Sequence, residues 1–272
     1  MKNIILVAAC LVLFLPGCKK SDDDPVIITG KPQTPMADDT SVIFLHHSTG
    51  SVIWNGGVDT WFTSYNSTNS TSYAITEQAY PNTPYPWDNY PYDYWLIWVS
   101  NAGPTPYDGQ DTLEILAAAY DVIVFKHCFP VSQVGLDTGS PDVSSSTKSQ
   151  ENYKLQYQTL KAKMLSFPNN RFIVWTGAAL VESATDALEA DRARSFFNWV
   201  KNEWDEPGDN IYVWDFWQLE TGGGLYLLGA NAVSSSDSHP NSTFATTVAP
   251  YFSQRVVNVI KGLGDLTSLT GQ

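Results

Sequence analysis

Two short stretches of this chain hold the residue types from which a nucleophilic site is made. SVIFLHHSTG, residues 41–50, is an apolar run that ends at His46, His47, Ser48, Thr49 and Gly50. Far along the chain, Ser236-Asp237-Ser238-His239-Pro240-Asn241 sets a carboxylate two residues before an imidazole. A serine hydroxyl is a weak nucleophile until a neighbouring imidazole removes its proton. That imidazole in turn needs a carboxylate to fix its tautomer and stabilise the imidazolium. Ser48, His239 and Asp237 offer the three roles in the order Ser, Asp, His. A carboxylate so near its histidine reaches the ring only where the chain turns sharply, so Asp215 stands as the alternative. A plainer reading exists for each stretch, since a serine, threonine and glycine after a strand usually make a turn.

The elements that must position these residues follow from hydrophobic patterning. Ser41 to His46 reads as a buried strand, with a further short strand near Tyr73 to Glu77. Tyr120 to Lys126, Arg171 to Thr176 and Asn210 to Asp215 are three more apolar, β-rich runs. Helical patterns cover residues 110–119, 147–166, 184–204 and 243–261. Strands alternating with helices argue for a parallel sheet covered on both faces. Ligands in such sheets bind beyond the carboxyl ends of the strands. That rule gathers His46 to Gly50, Lys126 to Pro130, Thr176-Gly177 and Asp215 on one rim. The segment Tyr80 to Trp98 is dense in Pro, Tyr and Trp, and its prolines exclude a regular helix or central strand in its first half. It is expected as a long loop packed by its own aromatics, with an aromatic wall for sugar rings as the functional reading.

A strand followed by a serine near the start, and Asp/His-Pro before the last helix, resemble the SGNH (GDSL-type) hydrolases over residues 41 to about 262. Of the family's Gly-Asp-Ser motif only Ser48 is matched, behind His46-His47. Of its Asp-x-x-His-Pro motif His239 and Pro240 match, with Asp237 one residue closer. The resemblance implies an oxyanion hole built from the Ser48 N–H and a glycine N–H, for which Gly103 and Gly109 both fit. The family's asparagine donor is absent, and Lys126-His127-Cys128-Phe129-Pro130 stands in its place, leaving Lys126 or His127 to supply a donor. No metal and no organic cofactor are implied. The expected architecture is α/β, a single three-layer αβα domain over residues 41–264 with a mostly parallel, flavodoxin-like sheet of about five strands.

His46 and His47 alternate across the strand, so one is expected inside as a core histidine and the other lining the pocket. Cys128 beside His127 offers a thiol nucleophile. Adjacent residues at a strand end rarely aim at one point, however, and a buried single cysteine is common.

The N-terminus reads as an export signal. Met1-Lys2 precedes an apolar run of about 12 residues, well short of the roughly 20 that span a bilayer. Leu15-Pro16-Gly17-Cys18 resembles a bacterial lipobox, so residues 1–17 are expected as a lipoprotein signal peptide with lipid on Cys18. Residues 18–40 then form a flexible tether, whose Lys19 to Asp24 resembles the acidic export tag of Gram-negative surface lipoproteins, and 265–272 a tail. With Cys10 removed and Cys18 acylated, Cys128 alone remains, so no intrachain disulfide forms in the mature domain. A net charge of −13 repels phosphate backbones and excludes nucleic acid as a partner class. The membrane enters only through the lipid anchor.

Ten Trp and fourteen Tyr suit sugar rings as well as a core. The function expected from all this is a cell-surface serine esterase of SGNH type that removes acyl groups, acetyl above all, from an extracellular carbohydrate. The same chemistry admits a lysophospholipase or an acyltransferase. The competing reading is a catalytically degenerate glycan-binding lipoprotein that keeps the hydrolase scaffold, since fold alone confers no activity.

Overall fold

A computed structural model describes residues 33–272 of the chain. The expected signal peptide, Cys18 and most of the tether lie outside the described residues. Five parallel strands form one sheet in the order β2-β1-β3-β4-β5: β1 Ser41–His46, β2 Ala74–Ala79, β3 Val122–Phe125, β4 Arg171–Trp175 and β5 Ile211–Trp214. The three-layer α/β architecture read from the sequence is the one observed. β1 and β3 are neighbours, with Val42 opposite Val122 and Leu45 opposite Phe125. Strand order reverses between them, which is where such sheets open a crevice at their carboxyl ends.

Alternation along each strand builds two cores. Ile43, Leu45, Ile123, Phe125, Phe172 and Val174 face one side and bury α3 (Pro91–Trp95), α4 (Leu113–Ala119), α5 (Gln150–Leu165) and α6 (Ala187–Trp199). Val42, Phe44, Val124, Ile173, Trp175 and Trp214 face the other and bury α1 (Thr49–Trp54), α2 (Val58–Asn69) and α8 (Ser242–Ile260). A six-residue helix, α7 (Phe216–Thr221), follows β5, and a hairpin of β6 (Ala232–Ser234) and β7 (Asp237–Pro240) precedes α8.

Three expectations change. Tyr80 to Trp98 is not loop throughout. Its prolines confine the first half, but Pro91 opens α3, which widens into a π turn over Leu96–Ser100. Proline suits a helix at its first position, where its missing N–H costs nothing. Residues 33–40 are not free tether: the Gln33 and Met36 amides donate to the Gly262 and Ile260 carbonyls, at 2.8 Å each. Nor is the C-terminus a loose tail. The Asp215 N–H donates to the Leu269 carbonyl at 2.9 Å, and the Trp214 indole to that of Thr270 at 2.9 Å.

Candidate active site

β1 delivers Ser48 to the rim through His46 and His47, and α1 starts one residue later. Ser48 is exposed, and its backbone stands at φ 22°, ψ −86°, a region that non-glycine residues rarely occupy. Its side chain makes no capping bond to α1, so the hydroxyl is not spent on the helix. Strained residues of this kind persist where their surroundings over-determine them, at a cost of about 1–3 kcal/mol.

Gly50 is part of what over-determines Ser48. A Cβ there would lie 2.5 Å from His46 Cβ and 2.6 Å from His46 Cγ, so only glycine lets α1 close onto β1. Gly50→Ala is therefore expected to lift α1 away, destabilising the fold by about 1–3 kcal/mol. A shift of about 1 Å in Ser48 should lower any turnover about 100-fold. Thermal denaturation and steady-state kinetics on the same sample check both.

His46 is the core histidine of the pair. It is 2% exposed, its ring packs on Phe44, and Nε2 lies 2.7 Å from Glu77 Oε2. Burial first, then the Lys126 charge, pushes its pKa down to about 3, so it is neutral and Nε2–H donates to the carboxylate. The ion-pair geometry alone would raise that pKa. Desolvation wins because Glu77 is itself a third exposed and shares its charge with water.

His47 points the other way and is half-buried. It stacks on Trp87 with ring centroids 3.7 Å apart, and Nε2 meets the Pro81 carbonyl at 2.5 Å. The segment after β2 thus forms one wall of the rim. Asp93 shapes that segment, its carboxylate accepting from the Asp88, Asn89 and Tyr90 amides and from the Tyr85 hydroxyl. Asn89 in turn accepts the Cys128 N–H on its backbone carbonyl at 2.8 Å.

On the hairpin, Asp237 Oδ1 accepts twice from His239, from the backbone N–H at 2.9 Å and from Nδ1–H at 2.7 Å. The short spacing reaches the ring because the carboxylate folds back over its own strand. Those two bonds hold the Asp237 carboxyl below its ordinary value. With Nδ1 protonated, Nε2 is the free base. The hairpin is pinned from behind, where Ser238 Oγ accepts the Val181 N–H at 3.0 Å. Asn241 caps α8 through the Phe244 N–H at 2.9 Å.

Asp215, the alternative carboxylate, is committed elsewhere. It accepts from Thr176 Oγ1 at 2.8 Å, from Lys201 Nζ at 2.8 Å and from the Gln218 amide that opens α7.

Two residues of the Lys126 to Pro130 rim segment join the halves. β7 runs beside α1. Cys128 Sγ lies 3.8 Å from Ser48 Oγ, and the ring of Phe129, the next residue, meets His239 edge-on at 5.2 Å. Ser48 and His239 are thus linked along the rim through Cys128 and Phe129, and among the described residues no hydrogen bond joins Ser48 Oγ to His239 directly. Cys128, weighed in the sequence as a thiol nucleophile or a buried single cysteine, stands one strand over from Ser48 in a parallel pair.

The remaining sequence candidates fall elsewhere. His127 is not a pocket residue: it is fully buried among Tyr94, Phe125 and Tyr157, with both ring nitrogens unpartnered. Lys126 is likewise sealed beneath the rim, and its ammonium reaches Cys128 Sγ at 3.8 Å. Gly103 and Gly109 share a loop whose hydrogen bonds run to the segment after β2, through Gln110 to Asn82 in both directions at 2.7 Å. Among the described residues none runs from that loop to Ser48. His127 packs with Phe125 on the α5 side of the sheet, as alternation along β3 continues, and Cys128 comes to the rim.

No protein-family model matches the chain, and no curated protein does. Solved structures do resemble it. An acetyl xylan esterase, 15% identical, aligns over 77% of this chain and 96% of its own with a TM-score of 0.46. A gut microbial diltiazem-metabolizing enzyme, 11% identical, aligns over 80% of this chain with a TM-score of 0.47. This chain spans 47% of that enzyme's length.

Proposed function

We propose that this protein is a serine ester hydrolase of the SGNH type, held at a bacterial surface by lipid on Cys18, that removes acetyl groups from an extracellular carbohydrate. The observation that carries this reading is the Asp237–His239 hydrogen bond on the same rim as a strained, uncapped Ser48. Ser48 Oγ attacks the ester carbonyl while His239 Nε2 takes its proton. The tetrahedral oxyanion collapses, the sugar hydroxyl leaves with the proton from His239, and the acetyl group stays on Ser48. Water, deprotonated by the same imidazole, attacks the acyl-enzyme and releases acetate and the free serine.

A cleft of about 480 Å³ supports a carbohydrate substrate. It is lined by the partly exposed Tyr92 and Tyr107 beside the buried Tyr85 and Tyr90, with Asp88 and Asp108 as hydrogen-bond acceptors. Ser48, Cys128 and His239 are not among its lining residues. Its wall is the segment that also stacks Trp87 on His47. Aromatic faces with a few placed polar groups suit a sugar ring.

The test is acetate release from acetylated polysaccharides beside hydrolysis of p-nitrophenyl acetate. Tyr92→Ala is expected to raise KM for the polymer about five-fold, and by more than for the small ester. Equal effects on both would remove the cleft from substrate binding. Glycan binding with no hydrolysis of any ester would favour a binding lipoprotein on a hydrolase scaffold.

A further inference from the structure

We propose that the Cys128 thiol, backed by the Lys126 ammonium, is a hydrogen-bond donor to the oxyanion that forms at Ser48. The inference rests on the ester-hydrolase reading and assigns that site a catalytic group of its own.

Three atoms form a chain across the β1–β3 seam. Ser48 Oγ lies 3.8 Å from Cys128 Sγ, and Cys128 Sγ lies 3.8 Å from Lys126 Nζ. Both contacts suit sulfur, which is larger than oxygen and bonds at longer range. The oxyanion forms two bonds beyond Oγ, on the attacked carbon, so a group already touching Oγ is within reach of it.

Lys126 explains how a weak S–H donor becomes useful. Its side chain is wholly buried, and among the described residues its only ammonium hydrogen bond is to this sulfur. A lysine that only filled space there would be better replaced by methionine, because burying an ammonium is costly. Glu220 lies behind it, also wholly buried, with Oε1 accepting the Ala179 N–H at 2.7 Å and Oε2 unpartnered. Burial drives the two toward neutrality, lowering Lys126 and raising Glu220, while each opposes the shift in the other. The ammonium donates into the sulfur lone pair, polarises the S–H and directs it toward Ser48. Fixed dipoles aimed at developing charge in a dry site are the strongest lever an acyl-transfer site has. Cys128 is the catalytic residue in this arrangement, and Lys126 is a positioning residue acting through it.

The test is p-nitrophenyl acetate kinetics of the full-length protein and its C128A, C128S, K126M, C128A/K126M and S48A forms, each checked for folding by near-ultraviolet circular dichroism. C128A is expected to lower kcat about 10- to 100-fold with KM nearly unchanged, and C128S to recover most of the loss through its hydroxyl donor. K126M should lower kcat by a similar factor, and the double variant should be no slower than C128A, because the two groups act in series. Should K126M not fold, the C128A and C128S pair decides the point. An unchanged kcat in folded C128A overturns the proposal while leaving the esterase reading intact. Activity that survives S48A but not C128A makes the thiol the nucleophile and overturns it as well. A parent protein that hydrolyses no ester overturns the ester-hydrolase reading, and the donor role falls with it.

Discussion

Ser48→Ala is expected to lower kcat/KM for ester hydrolysis by about 10⁴- to 10⁶-fold while leaving the protein folded. The size follows from the kind of group removed. A nucleophile has no substitute, and what remains is binding and oxyanion stabilisation around an acyl group that nothing attacks. Its companion, Ser48→Gly, separates chemistry from strain. Glycine accepts φ 22° without the Cβ clash that serine suffers. It should be as inactive as the alanine form yet more stable than it by about 1 kcal/mol, read as a higher melting temperature. Retained activity in Ser48→Ala would end the serine-hydrolase reading. A glycine form no more stable than the alanine form would mean that α1 relaxes once the hydroxyl is gone.

The physical basis of these expectations also marks how far the sequence could be read. Ser41–His46 is legible to the residue because an apolar run meets two histidines and a polar turn, and β3, β4 and β5 are legible for the same reason. By contrast, β2 is mostly exposed and the β6–β7 hairpin carries no such run. α2 is not. VDTWFTSYNSTN is rich in β-branched and polar residues of low helix propensity, and only Val58 and Phe62 are buried. Its helicity is imposed by packing on α8, a tertiary effect that no local period reports. α3 hides behind prolines that look like breakers until Pro91 is seen at the first helical position.

At the site, Ser48, Asp237 and His239 could be picked out because their chemistry is written in residue type and order. Which strand-end residue faces Ser48 could not, because it depends on the turn after β3. There the Cys128 amide is tied to Asn89, 39 residues back, in a segment whose shape is set by Asp93. Hydrogen bonds over such separations leave no periodic trace.

The two carboxylates offered by the sequence are now separable by experiment. Asp237→Asn is expected to lower kcat about 10²- to 10⁴-fold with little change in stability. The carboxylate accepts the Nδ1–H hydrogen bond of His239 at 2.7 Å, which holds the proton on Nδ1 and leaves Nε2 free to act as base. An asparagine can turn its NH2 toward Nδ1, which favours the opposite tautomer and puts the proton on the nitrogen that must accept one. It also removes the negative charge that would stabilise the imidazolium during attack. Asp237 is half-exposed, so water fills the loss and the fold does not depend on it. Asp215→Asn should do the reverse. Its carboxylate is nearly buried against Lys201 and caps α7, so the change strands a mostly covered ammonium and costs about 3 kcal/mol, with kcat within a few-fold of the parent. Denaturant titration and steady-state kinetics on the two variants therefore give crossed results if Asp237 serves His239. If Asp215→Asn instead carries the loss in kcat, the hairpin pair is structural and the base must take its orientation from β5.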